Sequence, residues 1–151
     1  SDVEQKEKFD RVDDSVCAVR SALEEGIVAG GGVALYNASK KIKNKNNDAD
    51  YNTAFNIVQE AICQPLIQIL KNAGINPDNI IDELNNSSKK NYGFDVKNEK
   101  FGDLFKLGVI DPLKVAKNAL INSSSVATTI LSTNAIITHA RVGRKEETNN
   151  N

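Results

Sequence analysis

The 151 residues make about one domain's worth of chain on the usual scale of roughly 100 to 200 residues per domain, which excludes most multi-domain enzymes. When compact, a chain of this length buries about 68–70% of its unfolded surface, so a sizeable core needs neither disulfides nor a structural metal. With 40% apolar and 26% charged residues, and 19 basic against 20 acidic side chains for a net charge of −1, the composition is that of a soluble globular protein. It offers no long-range attraction to nucleic acid or to an anionic membrane.

Val3 to Glu25 carries Phe9, Val12, Val16, Val19 and Leu23, followed by Ile27, at spacings of three and four, which predicts a long amphipathic helix ending at Gly26. Glu24 and Glu25 sit at its negative dipole end, so either they have partners elsewhere or the helix stops earlier. Gly30-Gly31-Gly32 permits a sharp turn and close backbone approach, and a second helix follows from Val33 to about Lys43. Asp50 to Ala73 is a third helix with Phe55, Val58, Ile62, Leu66, Ile69 and Leu70 inward, kinked or broken at Pro65 and capped at Gly74. Asn76-Pro77 starts a short helix to about Leu84.

Asn91 to Val96 alternates polar and apolar residues, and with Phe101 to Leu107 predicts a hairpin or short strand followed by a helical turn. Asp111-Pro112 reads as the N-cap and first position of a last helix running to about Leu131, rich in the Ala, Ser and Thr that allow close helix packing. Asn134 to His139 is a candidate terminal strand, suited to pairing with another chain, and the charged tail 141–151 is read as disordered. The Lys/Asn-rich stretches Lys40 to Asn47 and Asn85 to Asn91 read as solvated surface.

Cys17 and Cys63 lie in apolar-periodic stretches outside any C-x-x-C or Cys/His cluster and read as buried residues of a reduced, cytosol-like compartment. With His139 the single histidine, the usual Cys and His donors assemble no zinc site. No charged, apolar leader opens the chain, and no run reaches the ~20 apolar residues that cross a bilayer. The missing initiator methionine reads as a start inside a longer protein.

Arg11-Val12-Asp13-Asp14, Glu24 to Leu35 with its Val-Ala-Gly-Gly-Gly-Val-Ala-Leu run, Asn91-Tyr92-Gly93-Phe94, Gly108 to Val115 and Ser125-Val126-Ala127 together resemble the group I chaperonins, the GroEL family. The resemblance spans residues 3 to 139 without insertions and covers roughly the last third of a subunit. It implies a mainly α fold: residues 1–24 as the returning helix of the intermediate domain, and 25–140 as part of the equatorial-domain helical bundle with a small β-hairpin and terminal strand. The substrate-binding apical domain and the Gly-Asp-Gly-Thr-Thr phosphate loop would lie upstream.

Site roles follow from the resemblance alone. Asp14 resembles the catalytic aspartate that positions water and metal for attack on the γ-phosphate of ATP; read without it, Asp14 is a solvated helix residue near Asp10 and Asp13. Gly31 resembles the position where backbone lies against base and ribose, and Asp111 the ribose acceptor, although Asp before Pro is also what a helix cap requires. Asp95, Val96 and Lys97 fall where the family's adenine-contacting stretch commonly has Asn-Ala-Ala, which favours backbone over side-chain contact. His139 stands where the family often has an acid and reads as an interface residue.

The resemblance further implies an ATPase with ATP and Mg as cofactors, the metal's ligands mostly upstream. Partners would be identical subunits in a stacked ring, with a co-chaperonin lid and unfolded clients bound through the apical domain. Nucleic acid and membrane are not expected partners, and the compartment is bacterial-type cytoplasm or an organelle matrix. Two other readings stand beside it: a stand-alone helical interaction module without ATPase activity, and an enzyme with a Cys-His nucleophile, opposed by the expected burial of both thiols.

Overall fold

The computed structural model describes residues 1–138. Helix α1 (Asp2–Glu25) starts on a full capping box, with the Ser1 hydroxyl accepting from the Glu4 N–H and the Glu4 carboxylate reaching back to residue 1. Strand β1 (Ile27–Ala29) follows the Gly26 cap, and after the glycine turn comes α2 (Val33–Ser39). Then come α3 (Ala49–Asn72), α4 (Pro77–Asn86), the hairpin strands β2 (Tyr92–Asp95) and β3 (Lys100–Asp103), α5 (Leu104–Leu107), β4 (Ile110–Pro112) and α6 (Leu113–Leu131). The fold is mainly α, with β1 antiparallel to β4 and β2 antiparallel to β3.

One core holds the centre. Val33 and Tyr36 of α2, Leu66 and Leu70 of α3, Ile80 and Leu84 of α4, Leu104 of α5 and Ala29 of β1 form a single buried cluster. Helix α3 ends in a Schellman motif: Gly74, at φ 74°, donates to Lys71 O, and Ile75 donates to Leu70 O at 3.0 Å. The Asn76 side chain caps α4 through the Asp78 N–H at 3.0 Å, with Pro77 in the first turn.

Several expectations are corrected. Helix α3 is one continuous element through Pro65, so the break expected as one alternative is not made; Ile62, Leu66 and Leu70 on either side are buried, while Val58 and Ile69 stay exposed. Helix α2 stops at Ser39 rather than near Lys43, because Asn44 and Asn46 turn their side-chain oxygens on the N–H groups of Asn46 and Asp48 and compete with helix. The last helix starts at Leu113. Asp111 is not its cap but a β4 residue facing Val28, and Pro112 at the N-cap offers no side-chain acceptor.

Residues 134–138 form no strand, since a strand needs a partner edge and no described segment supplies one. His139 and the tail 141–151 lie outside the described residues. The apolar stripe of α1 is not buried: Phe9 is 71% and Leu23 83% exposed, because the main neighbours of this helix among the described residues are α6 and β4. Cys17 is exposed on the same helix. Cys63 is half-buried, its sulfur 3.3 Å from the Ser39 hydroxyl. Among the described residues no helix is long and apolar enough to cross a membrane.

Candidate functional site

The three glycines of the turn have different physical roles. A Cβ on Gly30 would stand 3.0 Å from Ile110 N, and the Gly30 N–H donates to Val109 O at 3.0 Å, so two backbones are in direct contact there. At Gly32, with φ 78°, a Cβ would come within 2.6 Å of Leu66 N, pressing on the backbone of α3. Gly31, at φ 63°, meets only the Val109 side chain, at 3.9 Å, and otherwise opens to free space. Packing therefore fixes Gly30 and Gly32 as glycine, while Gly31 is half-buried, left-handed backbone with space where a side chain would stand.

The same packing carries β4, with the candidate Asp111, and the hairpin to this turn. Ile110 touches Gly30 and is followed by Asp111, an exposed residue whose carboxyl is pushed above its ordinary value by partial desolvation. On the other flank, a Cβ on Gly93 of β2 would meet Leu104 Cδ1 at 2.5 Å and Val33 Cγ2 at 3.1 Å, so the hairpin seats on the first residue of α2. Leu104 N donates to Asn91 O, and Val109 N to Leu104 O, tying hairpin, α5 and β4 together.

Asp95, at the tip of β2, is 3% exposed and its carboxylate is already engaged. It accepts from the backbone N–H of Lys97 at 3.0 Å and of Asn98 at 3.3 Å, and from the Asn98 amide at 2.6 Å. The Asn98 amide, then the two backbone donors and the Lys100 charge, hold its carboxyl below the ordinary carboxylate value, against an opposing contribution from burial. This side chain shapes the turn. Val96 is half-buried, and Lys97 is exposed.

Asp14 is not brought to this assembly. It sits on the exposed face of α1, eleven residues before Glu25, or about 16 Å up the helix, and makes no hydrogen bond or ion pair among the described residues. Helix α1 is anchored at its other end. Glu24 pairs with Lys114 and Glu25 with Lys117, and Leu113 N donates to Gly26 O at 3.0 Å. These are the partners that two carboxylates at a negative helix end call for, and that expectation was the sequence's one pointer to the contact.

For a nucleotide, the free backbone at Gly31 and the Asp111 carboxyl fit a base-and-ribose surface, and no phosphate cradle of the glycine-loop type occurs in the sequence. For a metal ion, the described residues hold no group of three His, Cys, Asp or Glu side chains, so they do not by themselves fit Mg. Sequence reading missed one cleft altogether. It measures about 820 Å³, lies along β1, and is lined by Lys40, Lys41, Lys89 and Lys90, but by none of Gly31, Asp95 or Asp111. Its only signal was a pair of Lys-Lys doublets in stretches read as solvated surface.

Residues 1–141 match the profile of the TCP-1/cpn60 chaperonin family. Over 139 residues, 91% of this chain, the sequence is 48% identical to the protein named chaperonin homolog Hsp-60, mitochondrial, of Caenorhabditis elegans, covering 24% of that protein. Over the same share of this chain it is 44% identical to chaperonin GroEL of Orientia tsutsugamushi strain Boryong, covering 25% of it. The chain thus spans about a quarter of the length of these relatives.

Proposed function

Since this chain belongs to the TCP-1/cpn60 chaperonin family, we propose that it works as the C-terminal part of an ATP-dependent chaperonin subunit, supplying half of the nucleotide site and contacts between subunits. Residues 1–24 then belong to the intermediate domain and 25–140 to the equatorial domain. The partners are identical subunits in a stacked ring, a co-chaperonin lid and unfolded client proteins. One observation carries the nucleotide reading: Gly31 holds left-handed backbone with room beside its Cα, between two glycines that packing explains.

Bound ATP supplies a γ-phosphoryl group open to in-line attack by water. In this reading the Gly31 backbone lies against base and ribose, and Asp111 accepts from a ribose hydroxyl. The backbone of Val96 and Lys97, held in place by the Asp95 carboxylate, lines the adenine. Asp14 orients the attacking water and takes its proton. Because Asp14 stands about 16 Å along α1 from Glu25, this role requires α1 to move down over the turn, so that the catalytic set is complete only in the closed form.

The deciding experiment uses the complete subunit with Asp14→Ala. Hydrolysis is expected to fall by about 10²- to 10⁴-fold with ATP binding retained, and unchanged hydrolysis sinks the reading. A second reading, a helical interaction module without ATPase activity, is favoured by the exposed stripe from Phe9 to Leu23. It predicts that Asp14→Ala leaves every nucleotide-dependent property untouched.

A further inference from the structure

The 820 Å³ cleft runs between β1 and α2 on one side and the connection from α4 to β2 on the other. Lys40 and Lys41 come from one wall, Lys89 and Lys90 from the opposite wall, and no aspartate or glutamate lines it. In a chain whose net charge is −1, four lysines along one cleft are a local excess, even with Glu83 standing beside Lys89 and Tyr92 and Asp82 near Tyr36. Among the described residues the lysines paired with carboxylates are Lys114 and Lys117, and none of these four.

Two of the four are instead positioned by aromatic faces. The Lys40 ammonium lies 4.2 Å from the centre of the Tyr36 ring, and the Lys89 ammonium 5.3 Å from that of Tyr92. A ring face orients a cation without neutralising it, so the Lys40 charge remains available, while Lys89 shares its ring with the Glu83 carboxylate. The floor between them is apolar, with Val28, Leu84 and Phe105, and the amides of Asn37, Asn85 and Asn91 stand around it. Strand β1 forms one wall, and among the described residues its only strand partner is β4, which leaves the opposite backbone edge unpaired.

We propose that this cleft binds an extended acidic peptide segment, its carboxylates between the two lysine pairs and its apolar side chains on the Val28, Leu84 and Phe105 floor. An unpaired strand edge offers main-chain donors and acceptors to an extended peptide. A nucleic-acid strand is the poorer fit. Grooves for single strands rely on several stacking aromatics and on arginine, whereas this lining has no arginine and a single aromatic, Phe105. The site is independent of the nucleotide reading, since Gly31, Asp95 and Asp111 are absent from its lining.

The test is fluorescence anisotropy of the full chain with a labelled peptide of alternating Glu and Val, its Gln-Val counterpart, and a labelled oligo(dT). The Glu-Val peptide is expected to bind, the Gln-Val peptide to bind on the order of tenfold more weakly, and Lys40→Glu with Lys89→Glu to remove most of the affinity. Both lysines are exposed, so the helical circular dichroism signal should be unchanged in the variant. Lys106→Glu, an exposed lysine outside the cleft, should bind as the parent does. Failure of the Glu-Val peptide to bind, equal binding of the Gln-Val peptide, or equal weakening by Lys106→Glu overturns the proposal. Tighter binding of oligo(dT) with the same lysine dependence replaces it with a nucleic-acid groove.

Discussion

The Lys114 ammonium at the start of α6 pairs with the Glu24 carboxylate at the end of α1, across 90 residues of sequence, and Lys117 pairs with Glu25 beside it. The hydrogen bond to Glu24, then its charge and that of Glu25, raises the Lys114 pKa above its ordinary value. A lysine raised in the folded state contributes stability that is fully present below the ordinary lysine value and is lost as pH rises through the folded one. Lys114→Ala with Lys117→Ala should therefore speed hydrogen exchange at the Gly26 and Leu113 amides at neutral pH, and the parent should approach the variant's rates in strong alkali. Added salt should do the same in part, because both pairs are solvent-exposed. Identical exchange in parent and variant would show that the backbone bond from Leu113 to Gly26 alone anchors α1.

Asp95 makes the opposite prediction with pH. Its carboxyl is held below the ordinary value by Asn98 and the turn backbone, so it contributes stability above that ordinary value, and the contribution is lost as pH falls through the folded one. Asp95→Ala leaves the Lys97 and Asn98 donors without their acceptor, and should lower the melting temperature at pH 7 while changing little at the acid end. Asp95→Asn keeps one acceptor oxygen and should fall between. Equal melting temperatures for parent and Asp95→Ala at pH 7 would remove the turn-holding role.

What the sequence made legible is what local chemistry decides. The glycine cap at Gly74, the Asn76-Pro77 start and the hairpin at Tyr92 were readable because each depends on neighbours a few residues apart. The β1–β4 ladder was not, since three-residue strands carry too little alternation and their pairing joins positions more than 80 residues apart. Asp111-Pro112 misled for a related reason: the dipeptide is a sound cap signal, and only the ladder to Val28 makes it a strand. Periodicity in α1 found the apolar face but could not say what would cover it. The candidate site was legible through family likeness at Gly31 and Asp111, whereas the lysine cleft depends on two segments that meet only in three dimensions.

The glycine turn yields a graded pair of substitutions. Gly32→Ala drives a Cβ into the Leu66 backbone at 2.6 Å in addition to its left-handed strain, and a helix backbone cannot swing aside as a side-chain tip can. Gly31→Ala meets free space and carries mainly the left-handed cost, of about 1–2 kcal/mol. Urea unfolding should show Gly32→Ala as clearly the more damaging, by a further ~1–3 kcal/mol of overpacking. Gly31→Ala should keep the fold and weaken nucleotide binding in the complete subunit. The reverse order of stabilities would mean that α2 and α3 are further apart than the close approach at Leu66 implies.

Leu104 is fully buried and touches both the hairpin, through Gly93, and the core of α2 to α4. Leu104→Ala should cost about 2–5 kcal/mol, the range for leucine truncation in a core. Leu131→Ala at the exposed end of α6 should stay within about 0.5 kcal/mol. Chemical denaturation of both variants checks the contrast, and a small effect at Leu104 would mean that the hairpin is only loosely seated.

Asp111 closes the set because its stability and its proposed role pull in opposite directions. Partial desolvation raises its carboxyl pKa, so the folded chain is favoured by the protonated form below the ordinary aspartate value, and that advantage is lost as pH rises through the raised one. At pH 7 the ionised carboxylate costs the fold little, since Asp111 is exposed, and Asp111→Asn should leave stability equal to or slightly above that of the parent. The same substitution should flatten the decline in stability on the alkaline side of the ordinary aspartate value. If Asp111 accepts from a ribose hydroxyl, Asp111→Asn in the complete subunit should at the same time weaken ATP binding. A variant that gains stability and keeps full nucleotide affinity would assign Asp111 to the β1–β4 ladder alone, and a variant that loses both would mean that its carboxylate has a partner in the fold.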